Sequence, residues 1–332
     1  MIVEKTAVIG AGAWGTAFSI HLARCGLNVK IWCREPETAA DIRGGENRVF
    51  LPGIEIPGGI EPTTDLRYAV DSADIIFFAV PVQHLASVAS KIPVDSIDGA
   101  IFVSLSKGIE QSTGRLPSRI IEESVKKAET VVLSGPSFAT EVAKGKPTVL
   151  VAAGEISSAE IVQRAISSEN MRVYRSEDRL GVELSAALKN VLAIAAGFSD
   201  GIGLGENARA ALIVRGLAEI HRLATSLGAE PKTTFGIGGL GDIVLTCTSG
   251  ASRNYTLGKM IAEGNKASEI LSNVSWVAEG VYTATATLEL ASREGVEMPI
   301  MEQVARIIDG KISPEEAASE LMTRPIKTEF PK

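Results

Sequence analysis

Cysteine and histidine are scarce in this chain. The three cysteines, Cys25, Cys33 and Cys247, form no C-x-x-C pair, and His21, His84 and His221 stand at no zinc-binding spacing, so no metal site is expected. So few unpaired thiols suit a reducing compartment. Clustered positive charge is also lacking. With 33 Lys and Arg against 40 Asp and Glu the net charge is −7. That balance argues against nonspecific binding to nucleic acid or an anionic membrane. It leaves room for a small anionic substrate, because one Arg and one Lys in a cleft suffice. No apolar run stays uncharged across a bilayer's thickness. The most apolar stretch, Leu180 to Phe198, carries Glu183, Lys189 and Asn190 and reads as a buried helix, so no membrane span is expected. No signal-type apolar region precedes the first strand, which makes a cytoplasmic location the expectation.

What is present is a globular composition, 45% hydrophobic and 22% charged, in 332 residues, too long for a single ordinary core. Short apolar runs read as strands at Thr6–Ile9, Val29–Cys33, Asp74–Val80, Ala100–Ser104, Val131–Leu133 and Thr148–Ala153. Several are continuous in Val, Ile and Phe, the pattern of parallel strands covered on both faces. Helices fit between them, at Trp14–Cys25, closed by Gly26, and at Gln83–Lys91. Such alternation predicts a doubly wound α/β sheet of Rossmann type. After Arg179 the pattern becomes long helical periodicity, in Leu180–Phe198, Asn207–Leu227, Val281–Arg293 and Glu302–Asp309. Glycine loops at 201–205 and 236–241 interrupt it, and Ser313-Pro314-Glu315-Glu316 reads as a helix start. The expected organisation is a dinucleotide-binding domain over residues 1–179 and an all-α substrate-binding domain over 180–332.

Gly10-x-Gly12-x-x-Gly15 lies after the first strand and opens a helix. The first glycine permits a tight turn, the second lets backbone approach a pyrophosphate, and the third lets helix and strand pack closely. The anion then meets the free N–H groups of the helix start, at Ala13 and Trp14. The second strand ends Ile31-Trp32-Cys33-Arg34-Glu35. A guanidinium in that place can take the 2′-phosphate of NADP bidentately, while a carboxylate can take the ribose hydroxyl of NAD. Arg34 favours NADP(H), and Glu35 leaves NAD(H) open.

Carbonyl reduction needs a proton donor for the forming alkoxide and anchors for the rest of the substrate. Lys189 is the candidate donor. Its helical neighbours Ser185, Ala186 and Ala193 offer nothing to pair its charge. Desolvation would then lower its pKa towards neutrality; a lysine that snorkels to the surface is the competing reading. Ser252, Arg253 and Asn254 suit an anionic head group, and Asp242 could hold a substrate hydroxyl or orient Lys189. Each is, by itself, equally readable as an ordinary loop residue. Ser106-Lys107-Gly108 and Ser134-Gly135-Pro136-Ser137-Phe138-Ala139 both follow strands, at the sheet edge where open α/β folds bind ligands. Lys107 close to Lys189 would lower a lysine pKa further.

Six ordered segments, GAGAWGTA from Gly10, SKGIE from Ser106, SGPSFA from Ser134, ALKNVLAIAAG from Ala187, GLGDIVLTCTSGASRN from Gly239 and VAEG from Val277, make the whole chain resemble bacterial-type NAD(P)-dependent glycerol-3-phosphate dehydrogenases. The resemblance implies a helical second domain of 6-phosphogluconate dehydrogenase type. It implies reversible reduction of dihydroxyacetone phosphate to sn-glycerol 3-phosphate, feeding glycerophospholipid synthesis, with Lys189 moving the proton. Lys107, Gly135, Ser137, Asp242, Ser252, Arg253 and Asn254 would line the substrate site. Gly10, Gly12, Ala13, Trp14, Gly15, Arg34, Lys107, Ala139, Arg253, Val277 and Glu279 would contact the cofactor. A homodimer is implied by the family alone. The rivals are another two-domain hydroxy-acid or hydroxyacyl dehydrogenase and a noncatalytic NAD(P)-sensing protein. The second would have no use for a lysine inside an apolar helix.

Overall fold

The computed structural model describes residues 2–329 apart from positions 94, 96, 98, 126, 127, 275 and 327. The first half alternates strands and helices: β1 (Lys5–Ile9), α1 (Ala13–Arg24), β2 (Asn28–Trp32), α2 (Pro36–Arg43), β3 (Glu46–Asn47), β4 (Leu51–Glu55), β5 (Ile60–Thr63), α3 (Leu66–Val70), β6 (Ile75–Phe78), α4 (Val82–Ala89), β7 (Ile101–Ser104) and α5 (Pro117–Ser124). It ends with β8 (Glu129–Ser134), α6 (Ala139–Ala143), β9 (Thr148–Ala153), α7 (Ile156–Ile166) and β10 (Met171–Ser176). Eight strands form one sheet in the order β10-β9-β8-β7-β6-β1-β2-β5. Neighbours run parallel except β8 and β9. From β1 the chain builds outward through β2 to β5 and then returns to β6 on the other side. The switch point therefore lies between the carboxyl ends of β1 and β6, where ligands of such sheets bind.

β6 and β7 are buried at every residue, as are β1 after Lys5 and β8 after Glu129. This is why their sequences read as continuous apolar runs. The edge strand β10 alternates instead, with Met171 and Val173 inward and Arg172 and Tyr174 outward. Sequence periodicity missed it, along with β5 and the β3–β4 hairpin. Gly26 takes φ +81° and closes α1, with its N–H on the Ala23 carbonyl and that of Leu27 on Leu22, a Schellman end.

The second half begins with α8 (Arg179–Gly201), followed by α9 (Glu206–Ser226), α10 (Asp242–Cys247), α11 (Arg253–Ala262), α12 (Ala267–Asn273), α13 (Glu279–Arg293), α14 (Pro299–Ile308) and α15 (Pro314–Met322). Ser313 and Glu316 form a capping box at α15, as that segment predicts. Helix α8 is buried continuously from Gly181 to Ser199. It packs against α9, α10, α11 and α13, so a helix apolar on all faces is what the position demands. It is also the one helix among the described residues long and apolar enough to cross a membrane. Glycines let α11 approach it: a Cβ on Gly258 would lie 2.2 Å from the Ile194 carbonyl oxygen, and one on Gly197 2.1 Å from that of Tyr255.

Three helices whose own N-cap residues supply no side-chain hydrogen bond are capped from elsewhere by glutamates, two of them buried and the third, Glu279, half-buried. Glu183 of α8 accepts from Ser118 N at 2.7 Å and Ser118 Oγ at 2.6 Å, at the start of α5. Glu219 of α9 accepts from Ile300 N at 2.8 Å and Met301 N at 3.2 Å on α14. Glu279 of α13 accepts from Val82 N at 3.0 Å on α4. Burial pushes all three carboxyls up to about 7, against the donors that favour the charged form. Glu219→Ala strands two donors in the helical core. It is expected to lower unfolding stability by about 1–3 kcal/mol in a urea titration. An unchanged midpoint would show that water replaces the cap.

Candidate active site

The glycine turn sits at the switch point, and each of its glycines has a separate reason. Gly10 takes φ +110°, and a Cβ there would lie 2.7 Å from the Ala79 carbonyl oxygen at the end of β6. A Cβ on Gly15 would lie 1.9 Å from the Gly10 oxygen, so α1 could not seat. One on Gly12 would meet nothing within 4 Å, which leaves the turn's outer side open to a ligand. Gly12 is the N-cap of α1, and among the described residues no side chain caps the amides of Ala13, Trp14 and Gly15. An anion placed there meets free donors and the positive end of the helix. The Gly10 amide donates to the Trp32 carbonyl at 3.1 Å, tying the turn to the end of β2. After the buried Cys33 come Arg34, exposed, and Glu35, half-buried, paired with each other.

The loops after β7 and β8 bring Lys107 and Gly135 together, with Lys107 Nζ donating to the Gly135 carbonyl at 3.3 Å. Ser137 Oγ donates to the same carbonyl at 2.8 Å. Ala139 opens α6 nearby, half-buried. Gly135 takes φ +141°, with any Cβ 2.7 Å from the Val149 oxygen, so only glycine allows this approach.

Lys189 projects from the middle of α8 and is 7% exposed, so the snorkelling reading does not hold. Its charge is paired after all, from a distant segment. Nζ donates to Asp242 Oδ1 at 2.7 Å and to Thr246 Oγ1 at 2.8 Å. The other Asp242 oxygen accepts from Lys107 at 2.7 Å. Burial pulls the Lys189 ammonium down to about 8; Asp242 opposes the shift and Lys107 adds to it. Burial alone would raise the Asp242 carboxyl, but the Lys107 and Lys189 ammoniums outweigh it and hold it below the usual carboxylate range. Of the three N–H bonds on Nζ, two have these partners, which leaves one for an incoming oxygen.

Around α11 the three predicted residues divide. Ser252 is the N-cap, its Oγ accepting from Tyr255 N at 3.3 Å. Asn254 is engaged at both ends of its amide: Nδ2 donates to Asn190 Oδ1 at 3.0 Å, and Oδ1 accepts from Gly280 N at 3.1 Å. It therefore joins α8, α11 and α13, with one N–H of Nδ2 left over for a head group. Arg253 is exposed at the first position of α11 and forms no ion pair among the described residues. A guanidinium at a helix N-terminus is unfavourable without an anion. Val277 is exposed, 39%, just ahead of α13. Glu279 has one oxygen on Val82 N, and the other is buried with no hydrogen-bond partner among the described residues, close to the surface of Gly108.

Two contributors escaped sequence reasoning. Thr246 lies one helical turn after Asp242, and that spacing was the available signal. Asn190 donates to the Lys107 carbonyl at 3.3 Å and so fastens α8 to the loop after β7; only its place beside Lys189 hinted at this. Ile109 N on Thr283 Oγ1 at 3.3 Å makes a second such joint.

Comparison with known proteins agrees with this geometry. Residues 5–160 match the family described as NAD-dependent glycerol-3-phosphate dehydrogenase N-terminus, and residues 178–319 match its C-terminus. Glycerol-3-phosphate dehydrogenase [NAD(P)+] 1 of Salinibacter ruber is 45% identical over 98% of this chain and 97% of its own length. The crystal structure of glycerol-3-phosphate dehydrogenase from Coxiella burnetii superposes with a TM-score of 0.92 at 35% identity, covering 97% of this chain and 99% of that one. A ketopantoate reductase of the PanE/ApbA family from Ralstonia eutropha shares the fold alone, at TM-score 0.63 and 17% identity over 95% of this chain and 99% of that one. The chain belongs to the NAD-dependent glycerol-3-phosphate dehydrogenase family.

Proposed function

We propose that this chain reduces dihydroxyacetone phosphate at C2 to sn-glycerol 3-phosphate, reversibly, with NADPH or NADH. The observation that carries the reading is Lys189, buried, lowered to about 8, left with one free N–H, and joined through Asp242 to Lys107 at the carboxyl end of β7. Three features fit the cofactor: the open side of Gly12, the uncapped amides of α1, and the partnerless buried oxygen of Glu279. Gly10 to Gly15 would hold its pyrophosphate, Arg34 its adenosine end, and Ala139, Val277 and Glu279 the remainder. When bound, the dinucleotide supplies the hydride.

The chain's own residues supply the rest. Lys189 aims an N–H at the C2 carbonyl oxygen, polarises it, and transfers its proton as the alkoxide forms. Asp242 holds that ammonium in place and accepts the Lys107 charge. Two ammoniums on one carboxylate leave one net positive charge, which draws an anionic substrate. Arg253 takes the phosphate bidentately, with the Ser252 hydroxyl beside it, while Asn254 and Asn190 keep α11 and α8 in register. Gly135 and Ser137 shape the opposite wall. We place the division of labour at residues 1–179 for the dinucleotide and 180–332 for the substrate, and infer a cytoplasmic homodimer feeding glycerophospholipid synthesis.

Purified protein with dihydroxyacetone phosphate and NADPH should lose absorbance at the nicotinamide band. Turnover on a 3-keto acid with none on dihydroxyacetone phosphate would overturn the assignment. Lys189→Ala is expected to cut kcat by ~10²-fold or more, as removal of a general acid does. Arg253→Ala should raise the KM for dihydroxyacetone phosphate roughly 10- to 100-fold, the scale of a lost charge-assisted bond. An unchanged KM would remove Arg253 from the phosphate site.

A further inference from the structure

Arg34 and Glu35 occupy the end of β2, where the adenosine ribose of a dinucleotide lies in this fold. Their placement is rigid at the backbone. Cys33 N donates to the Thr63 carbonyl at 2.8 Å, and the Trp32 ring N–H to that of Thr64 at 3.0 Å. The Trp32 carbonyl is held by the glycine turn itself. The two side chains, by contrast, are exposed, 75% for Arg34 and 40% for Glu35, and each has the other as its ion-pair partner. Glu35 is the N-cap residue of α2, yet its carboxylate makes no cap hydrogen bond. It turns away from the helix start that would favour it and towards the guanidinium. The carboxylate thus sits on the Nε/Nη2 fork, one of the two that a 2′-phosphate can use.

We propose that Glu35 competes with the 2′-phosphate of the cofactor for the Arg34 guanidinium, and so sets the balance between NADP(H) and NAD(H). The inference rests on the dinucleotide reading of the glycine turn. With the unphosphorylated cofactor the Arg34–Glu35 pair persists, and the second carboxylate oxygen is available to accept the ribose 2′-hydroxyl. With the phosphorylated cofactor the pair must open before the Nε/Nη2 fork can close on phosphate, and a phosphate taken on the Nη1 side meets the like charge of Glu35 across the same guanidinium. Arg34 then gives affinity for NADP(H) and Glu35 takes part of it away.

The test is equilibrium binding of NADPH and NADH to the protein without substrate, by calorimetry, for the unaltered chain and for Glu35→Gln, Arg34→Gln and the double variant. An exposed pair of this kind contributes modestly, so Glu35→Gln should tighten NADPH by about two- to fivefold and should not tighten NADH. In the Arg34→Gln background the same change should have little effect on NADPH, because the two residues are coupled through one bond. The gain should shrink as salt is raised. An unchanged NADPH affinity in Glu35→Gln, or an equal gain in both backgrounds, would overturn the competition. Failure of both nucleotides to bind the unaltered chain would instead overturn the cofactor reading beneath it.

Discussion

Two lysines from different halves of the chain converge on one carboxylate, Asp242, which is 1% exposed. Burying an ammonium is costly, and burying two side by side would be prohibitive without a counterion. The Asp242 oxygens divide the task, one to Lys107 on the sheet side and one to Lys189 on the helical side. This triad stitches the halves together and also sets the chemistry. The same burial that makes the pairing necessary pulls Lys189 down to about 8, where it can give and regain a proton near neutral pH.

The surrounding architecture keeps that carboxylate dry and in position. Asp242 opens α10, whose Thr246 also accepts from Lys189. Helix α8 presents Lys189 at its centre because the positions around it are apolar or small, apart from Asn190, whose amide is hydrogen-bonded to the Lys107 carbonyl and to Asn254. The glycine crossing with α11 and the Asn190–Asn254–Gly280 links fix the rotation of α8, and hence the direction of the lysine. Glutamates from α13, α8 and α9 cap the starts of α4, α5 and α14, helices that lack local caps. One of them, Glu279, keeps a second oxygen buried against Gly108, in the loop that carries Lys107.

Much of the fold could be read in advance because the central strands are covered on both faces and the long helices are periodic. β1, β6, β7 and β9 stand within a residue or two of the apolar runs, and the helical half starts where the alternation stops. β10 and β5 were invisible for the opposite reason: each lies at a sheet edge, one with alternating polar residues and one with Pro62 inside it. The glycine turn was legible because its demands are local. The lysine cluster was legible only in part. Lys189 stood out as a charge in an apolar helix, but its counterion lies 53 residues away, and nothing in local spacing could pair them. Asn254 shows the limit most clearly. Its motif pointed to a head group, and nothing local signalled that its amide also joins three helices.

The central claim is that Lys189 is the proton donor and that its acidity is set by burial against the Asp242 and Lys107 charges. The pH dependence of kcat/KM for dihydroxyacetone phosphate reduction tests it most directly. The account predicts a rate that is full below a limb near 8 and falls as pH rises through it. Asp242→Asn should move that limb down, by removing the anion that favours the ammonium, and Lys107→Met should move it up, by removing a like charge. A limb near the ordinary lysine value in the unaltered protein, or one that neither substitution moves, would contradict the account.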